Sequence, residues 1–234
     1  MYFMTLTFIF FVGSICGWIL EYIFRNYIKR EHQNKKVNPG FCKGPYLPIY
    51  GFGFSILYLL TRFWDIHPVF LFIIMGISLT LLEYLVGIIL LKGMNTRLWD
   101  YQNEWKNMQG IICPKYSFAW FMMSFFYYYF IHPILTIMID LFLQHPTFLF
   151  IVGMFYGILL MDVIQSSELL YYVKKYALEH KVIIQFEKIK SNMLERYHTQ
   201  PKKFIFFHSF DIGKNLIDSI QELKEEFERL KKKE

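Results

Sequence analysis

Residues 68–91 read PVFLFIIMGISLTLLEYLVGIILL, an unbroken apolar stretch that carries a single charge, Glu83. At 1.5 Å per residue, a helix of that length covers the ~30 Å hydrocarbon core of a bilayer. The stretch therefore predicts a membrane-spanning helix. Four further apolar runs flank it, at 2–24, 47–63, 117–139 and 147–165. About five transmembrane helices then account for most of residues 1–165, and the expected fold is an all-α integral membrane protein. The composition points the same way: 55% of the 234 residues are hydrophobic and 21% aromatic, too apolar for a water-facing surface of that size. The first run has no basic n-region and is long for a signal peptide, so it is expected as a retained helix.

Positive charge between the runs predicts orientation, because cytoplasmic loops retain Lys and Arg. The connection 25–46 holds six (Arg25, Lys29, Arg30, Lys35, Lys36, Lys43) and the connection 92–116 holds four (Lys92, Arg97, Lys106, Lys115). The connection 62–67 holds only Arg62, and 140–146 holds none. This alternation puts the N-terminus outside and the C-terminus in the cytoplasm of a multi-pass cell-membrane protein. The net charge of +6 then reads as a topology signal, and no nucleic-acid partner is expected. Cys42 and Cys113 fall in cytoplasmic connections, where thiols stay reduced. No CxxC pair or Cys/His zinc spacing occurs, so no metal is expected.

Beyond the last run the composition changes. Residues 171–234 carry fourteen Lys or Arg against ten Asp or Glu, which divides the chain into a transmembrane domain, 1–170, and a charged, helical cytoplasmic tail, 171–234. One tail helix is expected to continue the fifth span to about Tyr197 and to stop before Pro201. In a second, Ile212, Leu216, Ile220, Leu223, Phe227 and Leu230 recur at heptad-like steps.

Two segments resemble each other. Leu20-Glu21-Tyr22 is followed by Asn38, Gly40, Cys42, Pro45 and Tyr46, and Leu82-Glu83-Tyr84 by Asn107, Gly110, Cys113, Pro114 and Tyr116. The order suggests a parallel two-helix repeat about the membrane normal. Chance recurrence in a chain rich in Tyr and Leu is the alternative, since the Glu-to-Asn spacing differs, 17 against 24 residues.

The polar residues of the spans stand out against this background. Glu21 lies four residues before Arg25, which permits an ion pair near the headgroups. Glu83 lies about 12 Å into the bilayer counted from Leu91, where an ionised side chain costs on the order of 2.5–3.5 kcal/mol. It must face the bundle interior, hold a proton or find a cation. Asp162 in the fifth run poses the same problem. The connection containing Arg97, Trp99, Asp100, Tyr101 and Asn107 is dense in aromatics and charges. It reads either as an interfacial anchor or as a re-entrant cap whose Asp100 and Asn107 point at the spans. His132-Pro133 predicts a kink in the fourth span.

The ordered set GWILEY (17–22), NPGFCKGPYLPIYGFG (38–53), LEYLVG (82–87), RLWDY (97–101) and NMQGIIC (107–113) resembles the CmpB-like, ABC-transporter type IV family of bacterial membrane proteins. The resemblance covers roughly residues 10–125. Carried over by position, it implies importance for Glu21, Asn38, Gly40, Gly44, Pro45, Pro48, Gly51, Glu83, Trp99, Asp100, Tyr101, Asn107 and Gly110. The chain departs from the family pattern at Pro39, Leu91 and Ile111, where the family commonly has Arg, an acid and Arg.

The resemblance implies a transport component, permease-like, with a polar site on the cytoplasmic side of the bundle. Candidate site residues are Glu21, Glu83, Asp100, Asn107, Asn38, Arg97 and Asp162. The chain contains no GxxxxGK[ST] phosphate loop, so ATP-driven transport requires a separate ATP-binding subunit. The lipid bilayer and a further copy of the chain complete the expected partners, and no cofactor is expected. Two other readings stand beside it: an intramembrane enzyme acting on a lipid-linked substrate, with acids in acid/base roles, and a noncatalytic scaffold acting through its tail. No HExxH, GxSxG or Ser/His/Asp pattern assigns a reaction.

Overall fold

A computed structural model describes residues 2–28, 38–63, 66–145, 147–180 and 183–185. Its architecture is helical: α1 (Tyr2–Ile23), α2 (Pro48–Phe63), α3 (Pro68–Met94), α4 (Pro114–Phe126), α5 (His132–Gln144) and α6 (Thr147–His180). Among the described residues, four helical stretches are long and apolar enough to cross a membrane: Tyr2–Asn26, Pro68–Met94, Pro114–Gln144 and Thr147–Ser167. Their outward faces are apolar, with Phe3, Ile77, Ile89 and Phe150 largely exposed, as lipid contact requires.

The expected second span differs from the others. α2 has 16 residues, about 24 Å, because its start already lies deep in the bundle. The Leu47 N–H donates to the Ser14 carbonyl at 2.9 Å, and Ser14 lies nine residues, about 14 Å, before the end of α1. The segment 38–47 thus folds back along α1. Gly17 permits this approach: a Cβ there would overlap the Tyr50 side chain. The connection after α3 folds back as well, bringing Ile111 against Gly87.

α1 packs chiefly on α2, and α3 on α4, with α2 against α3 and α5 against α1. Ile9, Met75, Tyr127 and Leu135 are buried at the centre. α4 and α5 form one run joined by a π-helical turn, Tyr127–Ile131, directly before His132-Pro133. A proline removes a backbone donor and crowds the preceding turn, and the wider π turn is how the helix absorbs it.

α6 runs uninterrupted past residue 170 and ends at His180, short of the expected Tyr197. Residues 183–185 are no longer helical. Ile184–Gln185 forms a short strand, β2, parallel to β1 (Thr96–Arg97), pairing Thr96 with Ile184 and Arg97 with Gln185. The β-branched side chains of Ile183 and Ile184 favour extended backbone. The expected tail helix over 212–230 lies outside the described residues.

Candidate functional site

Glu83 sits inside α3, eleven residues or about 16 Å before its end, and is 4% exposed. Its two oxygens have different partners. Oε2 accepts from Trp120 Nε1 at 2.8 Å, and Oε1 accepts from the Tyr101 hydroxyl at 3.1 Å. An indole N–H can only donate, so Oε2 is fixed as an acceptor, whereas a phenol donates or accepts. Oε1 is therefore the oxygen at which a proton or a ligand can be accommodated.

Tyr101 reaches Glu83 because its connection is held rigid. Its ring stacks on Tyr116 at 4.3 Å, and its N–H bonds the Gly110 carbonyl at 2.9 Å. Burial, then the carboxylates of Glu83 and Glu21, push its phenol well above the ordinary tyrosine range, so it stays protonated and able to donate.

Glu21 is treated differently by its surroundings. Oε1 receives Arg25 Nε at 2.7 Å and Oε2 receives the Tyr50 hydroxyl at 2.8 Å, so its charge is balanced within one helical turn. Among the described residues, no Lys or Arg forms an ion pair with Glu83. Both glutamates line one cavity of about 370 Å³, together with Arg25, Tyr50, Tyr101 and Trp120. A smaller apolar slot of about 100 Å³ abuts it at Ile49, Tyr50, Glu83 and Trp120, and runs between Leu20, Phe54, Leu57 and Leu79.

The remaining candidates lie elsewhere. Asp162 is buried and clasps the 38–47 segment: its carboxylate accepts from Lys43 N–H at 3.0 Å, Gly44 N–H at 2.8 Å, Tyr46 hydroxyl at 2.6 Å and Ser166 hydroxyl at 3.0 Å. Asn38 ties the same segment, accepting from Trp18 Nε1 at 2.7 Å and donating to the Lys43 carbonyl at 2.7 Å. In the second connection Asn107 donates to the carbonyls of Gln102 and Glu104 and accepts from Gly110 N–H. Arg97 Nη1 meets Asp100 Oδ1 at 2.9 Å. Asp100 and Asn107 thus bond within their own connection, and it is Tyr101 that points at the spans.

The two similar segments share some local features and differ in others. Gly40 and Gly110 have φ of +80° and +69°, and Cys42 and Cys113 are buried. Asn38 bonds the Lys43 carbonyl ahead of it and Asn107 the carbonyls of Gln102 and Glu104 behind it, and Pro114 opens α4 whereas Pro45 lies ahead of α2, which opens at Pro48. Gly110 is doubly constrained, since a Cβ would overlap Arg97 Nη1. Of the three departures from the family pattern, Pro39 and Ile111 are both buried.

Tyr50 and Trp120 line the cavity beside the two glutamates, and the sequence reading did not single them out. The available signal was chemical: a Tyr or Trp inside a span must find a partner for its O–H or N–H, and the nearest unsatisfied groups in such helices are the intramembrane acids. Among the described residues no cluster of His, Cys, Asp and Glu could hold a metal ion.

No curated protein and no solved structure matches the chain. The family described as "Putative ABC-transporter type IV" matches residues 8–167, a stretch that contains α2 to α5, most of α1, both fold-back connections, Glu21, Glu83 and Asp162. With these helices and this motif order in place, the chain belongs to that family.

Proposed function

We propose that this chain is the membrane component of an ABC-type transport system and that its substrate is held in the cavity between Glu21 and Glu83, near the cytoplasmic face. One observation carries the reading: a cavity of about 370 Å³ is lined by two carboxylates inside membrane-spanning helices. That volume is in the range of small-molecule sites, ~300–1,000 Å³, and intramembrane acids mark substrate or ion pathways. Family membership supports the transport class, and the positive charge of the connections 25–46 and 92–116 supports the cytoplasmic side.

Energy coupling would come from a separate ATP-binding subunit. The test is to purify the tagged full-length chain from its own cells in a mild detergent. The expected result is a co-purifying P-loop ATPase at a constant ratio, whose ATP hydrolysis falls in Glu83→Gln at equal abundance. A chain that retains its cellular role with no ATPase bound would sink the transport reading.

A second reading, an enzyme acting on a lipid-linked substrate, is favoured by the apolar slot abutting the cavity. It requires product formation by the purified chain alone.

A further inference from the structure

The geometry points to an amphiphilic organic cation as the occupant of this cavity, its alkylated ammonium head against Glu83 and its apolar part in the adjoining slot. The inference rests on the cavity being a substrate site, and it adds the chemical class.

Charge is the first argument. Arg25 balances Glu21 at 2.7 Å, whereas the partners of Glu83 are neutral donors, Tyr101 and Trp120. Among the described residues the ionised cavity therefore carries one negative charge in surplus. A neutral guest would leave that charge unbalanced and an anionic guest would oppose it. A monocation completes it.

The walls decide which kind of cation. Trp99, Trp120, Tyr50 and Tyr101 line the space, and the Trp120 and Tyr50 rings lie 5.7 Å apart between centroids. Aromatic faces attract ammonium groups, and cages of them are a recurrent solution for quaternary ammonium. A hard divalent ion instead takes 6–8 oxygen ligands or keeps a full shell of water. The lining side chains offer oxygens from Glu21, Glu83, Tyr50 and Tyr101, all of them already hydrogen-bonded to one another, to Arg25 or to Trp120.

The slot supplies the second half of the ligand. It meets the cavity at Glu83 and Trp120 and is bounded by Leu57, Leu79, Phe54 and Met123, side chains that favour alkyl over polar groups.

The experiment is calorimetric titration of the purified full-length chain in dodecyl maltoside, with empty micelles subtracted. The probes are octyltrimethylammonium, octanol and octyl sulfate, which share a chain and differ in head charge. Saturable binding of the cation at least about tenfold tighter than of octanol is expected, with that preference lost in Glu83→Gln. Equal binding of cation and octanol, tighter binding of the sulfate, or a Glu83→Gln protein that keeps the preference would overturn the inference. If Glu83→Gln does not fold, the ranking on the wild-type protein decides alone. Dihexanoylphosphatidylcholine separates the sources of such a head. Binding as tight as the free cation supports a lipid ammonium, and weaker binding supports a soluble amphiphilic amine. Absence of an ATPase partner would not alter these titrations, and failure of the titrations would leave the partner test standing.

Discussion

Asp162→Ala offers a direct measure of how the fold-back segment is held. The wild-type carboxylate accepts from four donors, and three of them (Lys43 N–H, Gly44 N–H and the Tyr46 hydroxyl) belong to residues 43–46. Ser166 can turn to a helix carbonyl when Asp162 is removed, but the other three, with Tyr46 buried and Lys43 and Gly44 half-buried, lose this acceptor. Each unsatisfied donor costs about 1–3 kcal/mol. Alanine also removes the carboxylate's own desolvation cost, so the low end, about 3 kcal/mol in all, is the appropriate figure. Local opening of residues 38–47 should then rise about a hundredfold. Cys42, within this segment and 0% exposed, reports that opening. In a background of Cys16→Ala and Cys113→Ala, the rate of maleimide labelling at Cys42 is expected to increase about a hundredfold in Asp162→Ala. Asp162→Asn, which keeps one acceptor oxygen, should fall between the two. A labelling rate in Asp162→Ala within about threefold of the parent would refute the reasoning that Asp162 holds the segment down.

Gly110→Ala should lower thermal stability by more than the ~1 kcal/mol expected of positive φ alone, because its methyl would also meet Arg97 and Asp100; a melting temperature equal to wild type would contradict this. Burial raises the phenol of Tyr46, with help from Asp162, and that of Tyr101, with help from Glu83. A raised native pKa means that the stability these phenols contribute is complete below their unfolded value of ~10 and is lost as pH rises beyond it. Melting temperatures should therefore be unaffected by these two groups from pH 7 to ~9.5 and should decline above ~10, less steeply in Tyr101→Phe. For orientation, reporter fusions after Asp65 and Gln144 are expected to score outside, and those after Asn103 and Glu234 cytoplasmic; a cytoplasmic score after Asp65 would reverse the topology.

The helical membrane fold was legible in the chain because the property that specifies it is local. In hydrocarbon, each backbone N–H and C=O must be satisfied within its own helix, so a run such as 68–91 declares its state without reference to any other segment. The helical irregularity announced by His132-Pro133 was legible for the same reason, since a proline acts on its own preceding turn, where the π turn Tyr127–Ile131 lies. Asn107 was not: its side chain could equally have turned toward the spans, and it bonds Gln102, Glu104 and Gly110 within its own connection instead. The depth of the first connection was not: it depends on Gly17 accepting Tyr50 at its surface and on Ser14 receiving Leu47, contacts between separate segments of the chain. The partners of the buried acids belong to the same class. Glu83 meets Trp120 across 37 positions of sequence, and Asp162 meets Tyr46 across 116. Depth in an apolar run told that each acid needs a partner, since an unpaired one is costly there. Helix packing alone decided that Asp162 would be saturated by the 38–47 segment while Glu83, held by two neutral donors, would face a cavity.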